Sequence, residues 1–299
     1  MLKKLGPYAR PYSKWIAVGV LCSAAEAIFE LLIPLVMADI VNIGIETVNQ
    51  NYILQKGLLM VGMAVISLCF GLGAAASSSV AGQGFGAELR RAEYEHIQDF
   101  AFSNIEKFST ASLVTRLTND VNNMQMTLMM GMRVLVRAPV MLVVAVAVSC
   151  YLNARLALIL AVIIPLMMLV IGYLMKTCTK LFKTLQTKID ALNNTLQENL
   201  VAIRVVKAFV REDHERKKFK QSNDDLTGAA LSVGMRIIAI MPAMIIAMNA
   251  ATVAGLYFGG KMVMGGTFDL GRLQAFLNYV FQILMSVMLV AMSLLQLSR

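Results

Sequence analysis

Apolar positions gather into six long runs, at about residues 15–37, 58–80, 128–152, 156–175, 237–257 and 273–295. Each run is long enough to cross roughly 30 Å of hydrocarbon as an α-helix, the form that satisfies its own backbone polar groups in lipid. The connections alternate. Short loops join the first run to the second, the third to the fourth and the fifth to the sixth. Long charged segments, about 81–127 and 176–236, join the second to the third and the fourth to the fifth. Neither long segment contains proline, and both are rich in Leu, Glu, Lys, Arg, Gln and Ala, which favour helix. They therefore read as helical arms that continue the membrane helices. A tight bend is expected at the end of each, near residues 104–112 and near the apolar stretch 200–209. Exposed apolar residues at the tip of a charged arm mark a docking surface.

Composition agrees. Of 299 residues, 58% are hydrophobic and 15% charged, and the mean hydropathy is +0.68. That excludes a disordered chain, a collagen-like chain and an ordinary soluble enzyme. The net charge of +9 does not point to nucleic acid, because Lys and Arg are concentrated in the two long connections. Lys176, Lys180, Lys183, Lys188, Arg204, Lys207 and Arg211 lie in the second of these, whereas the short loops hold only Lys56, Arg155, Lys261 and Arg272. Basic loops stay in the cytoplasm, so both chain ends are expected there too. Residues 1–14, basic with Tyr8 and Tyr12, read as an interfacial helix before the first span. Their charges followed by an apolar run resemble a signal peptide, but the run continues past Glu26 and Glu30 to Met37, too long for one.

Several motifs carry little. Gly255-Leu256-Tyr257-Phe258-Gly259-Gly260-Lys261 approximates a phosphate-binding loop, but Met262 stands where a magnesium-binding Ser or Thr belongs, and no strand precedes it. Gly82-Gln83-Gly84-Phe85-Gly86 has the wrong spacing for a dinucleotide fingerprint and reads as small residues for close helix packing. Cys22, Cys69, Cys150 and Cys178 form no C-x-x-C pair. His96 and His214, the only histidines, sit in charged segments and suggest no metal site. No catalytic constellation is expected.

The informative residues are ionisable or polar ones within the spans. Glu26 and Glu30 share a face of the first span, and Arg133 and Arg137 a face of the third. By depth, an Arg137–Glu26 pair is possible. These four residues read either as the wall of a translocation path or as packing ion pairs and snorkelling arginines. In the sixth span Asn278, Gln282, Met285, Leu289, Met292 and Gln296 recur at spacings of four and three, as a cavity-lining face would. Interhelical hydrogen bonding is the alternative. Met241, Met244 and Met248 share a face of the fifth span, suited either to a promiscuous apolar surface or to ordinary packing.

Four stretches resemble a known family. They are Gln83-Gly84-Phe85-Gly86-Ala87-Glu88-Leu89-Arg90-Arg91 with the run 106–121 and Arg133–Pro139, and then the run 198–212. Over essentially its whole length the chain resembles the transmembrane domain of ATP-binding cassette (ABC) exporters of the bacterial multidrug type. The resemblance implies an all-α membrane fold with six transmembrane helices, long cytoplasmic extensions and two coupling helices. It places the first coupling helix near residues 105–113, with Ile105, Glu106, Lys107, Phe108 and Ser109. The second falls near 200–209, with Val205, Val206, Lys207 and Phe209. It also implies a location in the bacterial plasma membrane, a second half-transporter, identical or different, and a nucleotide-binding domain that carries ATP and Mg2+. These residues hold no complete phosphate-binding loop and no signature of the Ser-Gly-Gly-Gln kind, so that domain is expected downstream or on a separate chain. The rivals are an ion-gradient transporter using Glu26 and Glu30 as proton carriers, and a fragment that only dimerises.

Overall fold

In the computed structural model, backbone is described for residues 2–101 and 108–297, and side chains for 5–101, 108–290 and 293. Helix α1 (Leu2–Ala9) leads through a 3-10 turn (Arg10–Tyr12) directly into α2 (Ser13–Asp39), which continues as a π-helical segment (Ile40–Ile45). A short turn returns the chain into α3 (Gln50–Gln98). The short helix α4 (Thr110–Thr115) and a second π segment (Arg116–Asp120) precede α5 (Val121–Leu152). Then come α6 (Ala154–Val201), the short α7 (Ile203–Ala208), α8 (Glu212–Met264) and α9 (Leu270–Leu297). Among the described residues there is no strand, and six helices are long and apolar enough to span a membrane.

Among the described residues the two charged segments are mostly helical, as expected. α3 runs unbroken for 49 residues, through the apolar second span and on through the charged run to Gln98. α6 does the same for 48 residues and α8 for 53. Pro34, Pro139, Pro165 and Pro242 each lie inside a long helix. Neighbouring helices can re-satisfy the backbone groups that a proline frees in a span.

The chain divides into two units, residues 1–160 with 251–299, and residues 161–250. In the first, α2 packs along α3, α5 lies against both, and α9 closes onto α2 and α5. α9 supplies the densest part of this core: Phe276, Tyr279, Val280 and Ile283 are wholly buried, as are Ala27 and Leu31 of α2. Tyr279 donates its hydroxyl to the Leu31 carbonyl at 2.6 Å. That contact sits beside the helix defect at Pro34, which offers no N–H to the carbonyl of Glu30. At the other end of the unit, the Gly271 amide donates to Asn42 Oδ1 at 2.6 Å, tying the start of α9 to the π segment after α2.

The glycine cluster of α3 serves close packing. A Cβ on Gly84 would fall 2.1 Å from the ring of Tyr12, and one on Gly86 would fall 2.3 Å from Gln125 Oε1 of α5. The neighbouring Arg90 holds Asn122 at 2.6 Å and Gln125 at 3.3 Å. Near it, Phe85, Leu89 and Val121 form a small buried cluster that Leu5 and Tyr8 of α1 cover. The segment that resembled a phosphate-binding loop lies inside helix α8, with no strand before it.

The second unit is an antiparallel hairpin of α6 and α8 with α7 at its tip. Polar pairs zip the two rods: Lys188 with Asp225, Lys218 with Glu198, Thr195 with Ser222 at 3.3 Å, and Asn199 with Glu215 at 3.1 Å. The expected second bend is thus a one-turn helix between two tight reversals, with Val210 in the left-handed region (φ 52°).

Candidate functional site

The first unit contains a cavity of about 580 Å³ bounded by α2, α3, α5 and α9. On α2 the wall is Ser23, Glu26 and Glu30, spaced three and four apart and so on one helical face. On α5 the wall is Met126, Met130, Arg133, Arg137 and Met141, spaced four, three, four and four. On α9 it includes Gln282, Met285 and Leu289. Gln282 Oε1 is buried without a hydrogen-bond partner among the described residues, while Met126, Met130, Met285 and Leu289 expose much of their surface.

The charges in this wall are arranged asymmetrically. Arg137 donates one Nη to Glu26 Oε1 at 2.7 Å and the other to Glu30 Oε2. The forked guanidinium thereby bridges two carboxylates that lie one helical turn apart. Gly71 of α3 makes room for the Glu26 carboxylate, since a Cβ there would stand 3.0 Å from its Oε1. Arg133 also lines the cavity and is exposed, yet it makes no ion pair or hydrogen bond among the described residues.

The residues singled out from the sequence fall into groups. Glu26, Glu30, Arg133, Arg137, Gln282 and Met285 converge on the cavity. Asn278, on the same stripe as Gln282, instead donates to its own helix at the Gln274 carbonyl (3.0 Å) and is not among the lining residues. The side chain of Met292 lies outside the described residues. Met241, Met244 and Met248 belong to the second unit. Met244 is buried and Met241 is exposed. Sequence reasoning overlooked Met126, Met129 and Met130, although their spacing from Arg133 and Arg137 marks one continuous helical face.

The arm tips form a second candidate site. Val205 of α7 and Phe209, which follows the helix, are 57% and 72% exposed, whereas Val206 is buried inward. Lys207 holds Glu212, at the start of α8, at 3.1 Å. The tip thus presents large apolar side chains to water on a short, pinned helix. In the first arm, Ile105, Glu106 and Lys107 lie outside the described residues. Beyond them, Ser109 caps α4 by accepting from the Ser112 amide at 3.2 Å, and Arg116 stacks over the Phe108 ring at 5.2 Å.

On the flank of the first arm, well outside the apolar part of α3, Glu93 Oε2 is buried without a hydrogen-bond partner among the described residues. Burial, reinforced by the nearby Asp120 carboxylate and opposed by Arg116, raises the Glu93 carboxyl above its ordinary range. Among the described residues, no group of three or more His, Cys, Asp or Glu could hold a metal ion.

Residues 16–287 match the ABC transporter transmembrane region. The chain belongs to that family, and with its six long apolar helices it is a multi-pass membrane protein. It is 34% identical over its whole length to an uncharacterized ABC transporter ATP-binding protein of Mycobacterium tuberculosis (strain CDC 1551 / Oshkosh), covering 51% of that protein. It is 30% identical over 94% of its length to an uncharacterized ABC transporter ATP-binding protein of Bacillus subtilis (strain 168), covering 49% of it. It is also 28% identical over 93% of its length to an ATP-dependent lipid A-core flippase of Syntrophus aciditrophicus (strain SB), covering 46% of that protein. The chain thus spans about half the length of the curated relatives it matches.

Proposed function

We propose that this chain is the permease module of an ATP-driven exporter, moving an apolar or amphipathic substrate such as a drug, lipid or peptide by alternating access. The observation that carries this reading is the cavity of about 580 Å³ within a bundle of apolar helices, walled by methionines and by a few fixed charges. An apolar pocket with a few convergent polar groups is the usual form of a small-molecule site. A relative named as a lipid A-core flippase supports a lipid-like cargo.

The energy source in this reading is a nucleotide-binding domain that carries ATP and Mg2+, downstream or on a separate chain. The relatives are named as ATP-binding proteins and are about twice as long as this chain, which supports that arrangement. The tips near residues 105–113 and 200–209 act as coupling helices against that domain, and the long α3, α6 and α8 carry its motion as levers. A second half-transporter, identical or different, completes the path. The Lys and Arg bias supports a cytoplasmic side for the arms and both chain ends, and in this reading the membrane is the bacterial plasma membrane. Transport follows because substrate binds the inward-open and outward-open states unequally.

The rival proton-driven reading requires Glu26 and Glu30 to be free to exchange protons. Both carboxylates are instead held in ion pairs by Arg137. The test is ATP-dependent uptake into proteoliposomes that contain the transporter with its ATPase, comparing wild type with Phe209→Asp. Loss of ATP-driven uptake in an intact, folded variant supports the exporter. Uptake that follows a proton gradient without ATP, and is indifferent to Phe209→Asp, supports the rival.

A further inference from the structure

Of the four charged side chains on the cavity wall, three are already occupied with one another. Arg137 spends both arms of its guanidinium on Glu26 and Glu30, so a cationic ligand would have to compete with a tethered arginine for either carboxylate. Arg133 has no such engagement. It is exposed into the same cavity, one helical turn along α5 from Arg137, and makes no ion pair or hydrogen bond among the described residues. An unpaired guanidinium beside an apolar chamber presents several N–H donors in a planar fork that matches phosphate and carboxylate oxygens.

The surroundings define the rest of the ligand. Met126 and Met130 precede Arg133 on the same face of α5, and Met285 and Leu289 face the cavity from α9. These flexible, polarisable side chains accept apolar chains of varied shape. Arg137 is tethered to Glu26 and Glu30, so Arg133 is the guanidinium on this wall left to receive an anion.

Building on the exporter reading of this cavity, we infer that Arg133 selects cargo by its head group. The cargo is an anionic amphiphile whose phosphate or carboxylate pairs with the Arg133 fork while its apolar chain lies among the flanking methionines.

The test uses the transporter together with its ATPase in nanodiscs of neutral lipid, and probes that share one chain and differ in head group. Binding of dodecyl phosphate, dodecanoate, dodecyltrimethylammonium and a neutral dodecyl glycoside is measured by thermophoresis, with inorganic phosphate as the chainless control. The two anionic probes should bind about ten-fold more tightly than the neutral one, the scale of a hydrogen-bonded charge pair. Arg133→Gln should erase that preference, and Arg133→Lys should retain part of it. If Arg133→Gln does not fold, the Lys variant and the wild-type ranking still decide the matter.

Equal or tighter binding of the cationic probe overturns the inference, as does an anionic preference that survives Arg133→Gln. Inorganic phosphate binding as tightly as dodecyl phosphate overturns the amphiphile and leaves only an anion site. ATP-dependent movement of the bound probe is read separately. A head-group preference without ATP-driven movement would remove the exporter reading and leave this inference standing. ATP-driven movement without the preference would do the reverse.

Discussion

Arg137 and Glu26, 111 residues apart in the chain, meet at 2.7 Å within the first unit, with Glu30 on the other arm of the same guanidinium. This group ties α5 to α2 in the wall of the cavity. Its value lies in completeness: each charge is costly in an apolar bundle unless the others remain. Arg137→Met should destabilise the protein by about 3 kcal/mol or less, below the range for fully buried pairs because all three side chains keep some exposure. The triple variant Glu26→Gln, Glu30→Gln, Arg137→Met should recover most of that loss. Thermal melting in a neutral detergent checks both.

Tyr279 is wholly buried and its hydroxyl has one partner, the carbonyl of Leu31. Tyr279→Phe keeps the ring and removes the bond, so a loss of about 1 kcal/mol is expected, the usual net value of one hydrogen bond. Tyr279→Ala also removes the ring from the most buried helix and should cost about 3–5 kcal/mol, as large core truncations do. Melting temperatures of the two variants should therefore be well separated.

Glu93 provides a pH test on the arm. Its carboxyl is raised in the folded state, chiefly by burial and then by Asp120. A raised acid binds its proton more tightly when folded than when unfolded. The charged form therefore destabilises the fold at neutral pH, and that penalty disappears as pH falls through the raised value. Glu93→Gln should raise the melting temperature at neutral pH, and the gain should shrink as the pH approaches the acid range. A gain that grows on acidification would contradict the assignment.

Gly86 and Gly57 make a matched pair on α3. A Cβ at Gly86 meets Gln125, which Arg90 also holds, whereas one at Gly57 meets nothing within 4 Å. Gly86→Val should cost about 1–3 kcal/mol through overpacking. Gly57→Val should be nearly neutral. Equal melting temperatures would mean that α3 and α5 are not in close contact at this point.

Much of this architecture was legible in the sequence because lipid allows few solutions. Six apolar runs had to be helices, and arms without proline could only prolong them. The Glu26–Arg137 contact was legible from depth alone, since i and i+4 charges share a helix face. The involvement of Glu30 in the same bridge was not, because it depends on which way a guanidinium forks. Asn278 shows a local competitor that a stripe pattern does not reveal: an amide on a helix can bond the carbonyl four residues back, as it does to Gln274. The methionines at 126, 129 and 130 were overlooked because they precede the basic pair at the edge of the apolar run, where hydropathy weakens while the helical face continues.

The most direct measurement is ATP-dependent transport of a fluorescent amphiphile into proteoliposomes containing the transporter with its ATPase, comparing wild type with Met285→Trp. Met285 lines the cavity, and an indole there would intrude into it. The expected result is that transport falls steeply while the protein stays folded and ATP hydrolysis continues. Undiminished transport with the cavity narrowed in this way would contradict its role as the substrate path.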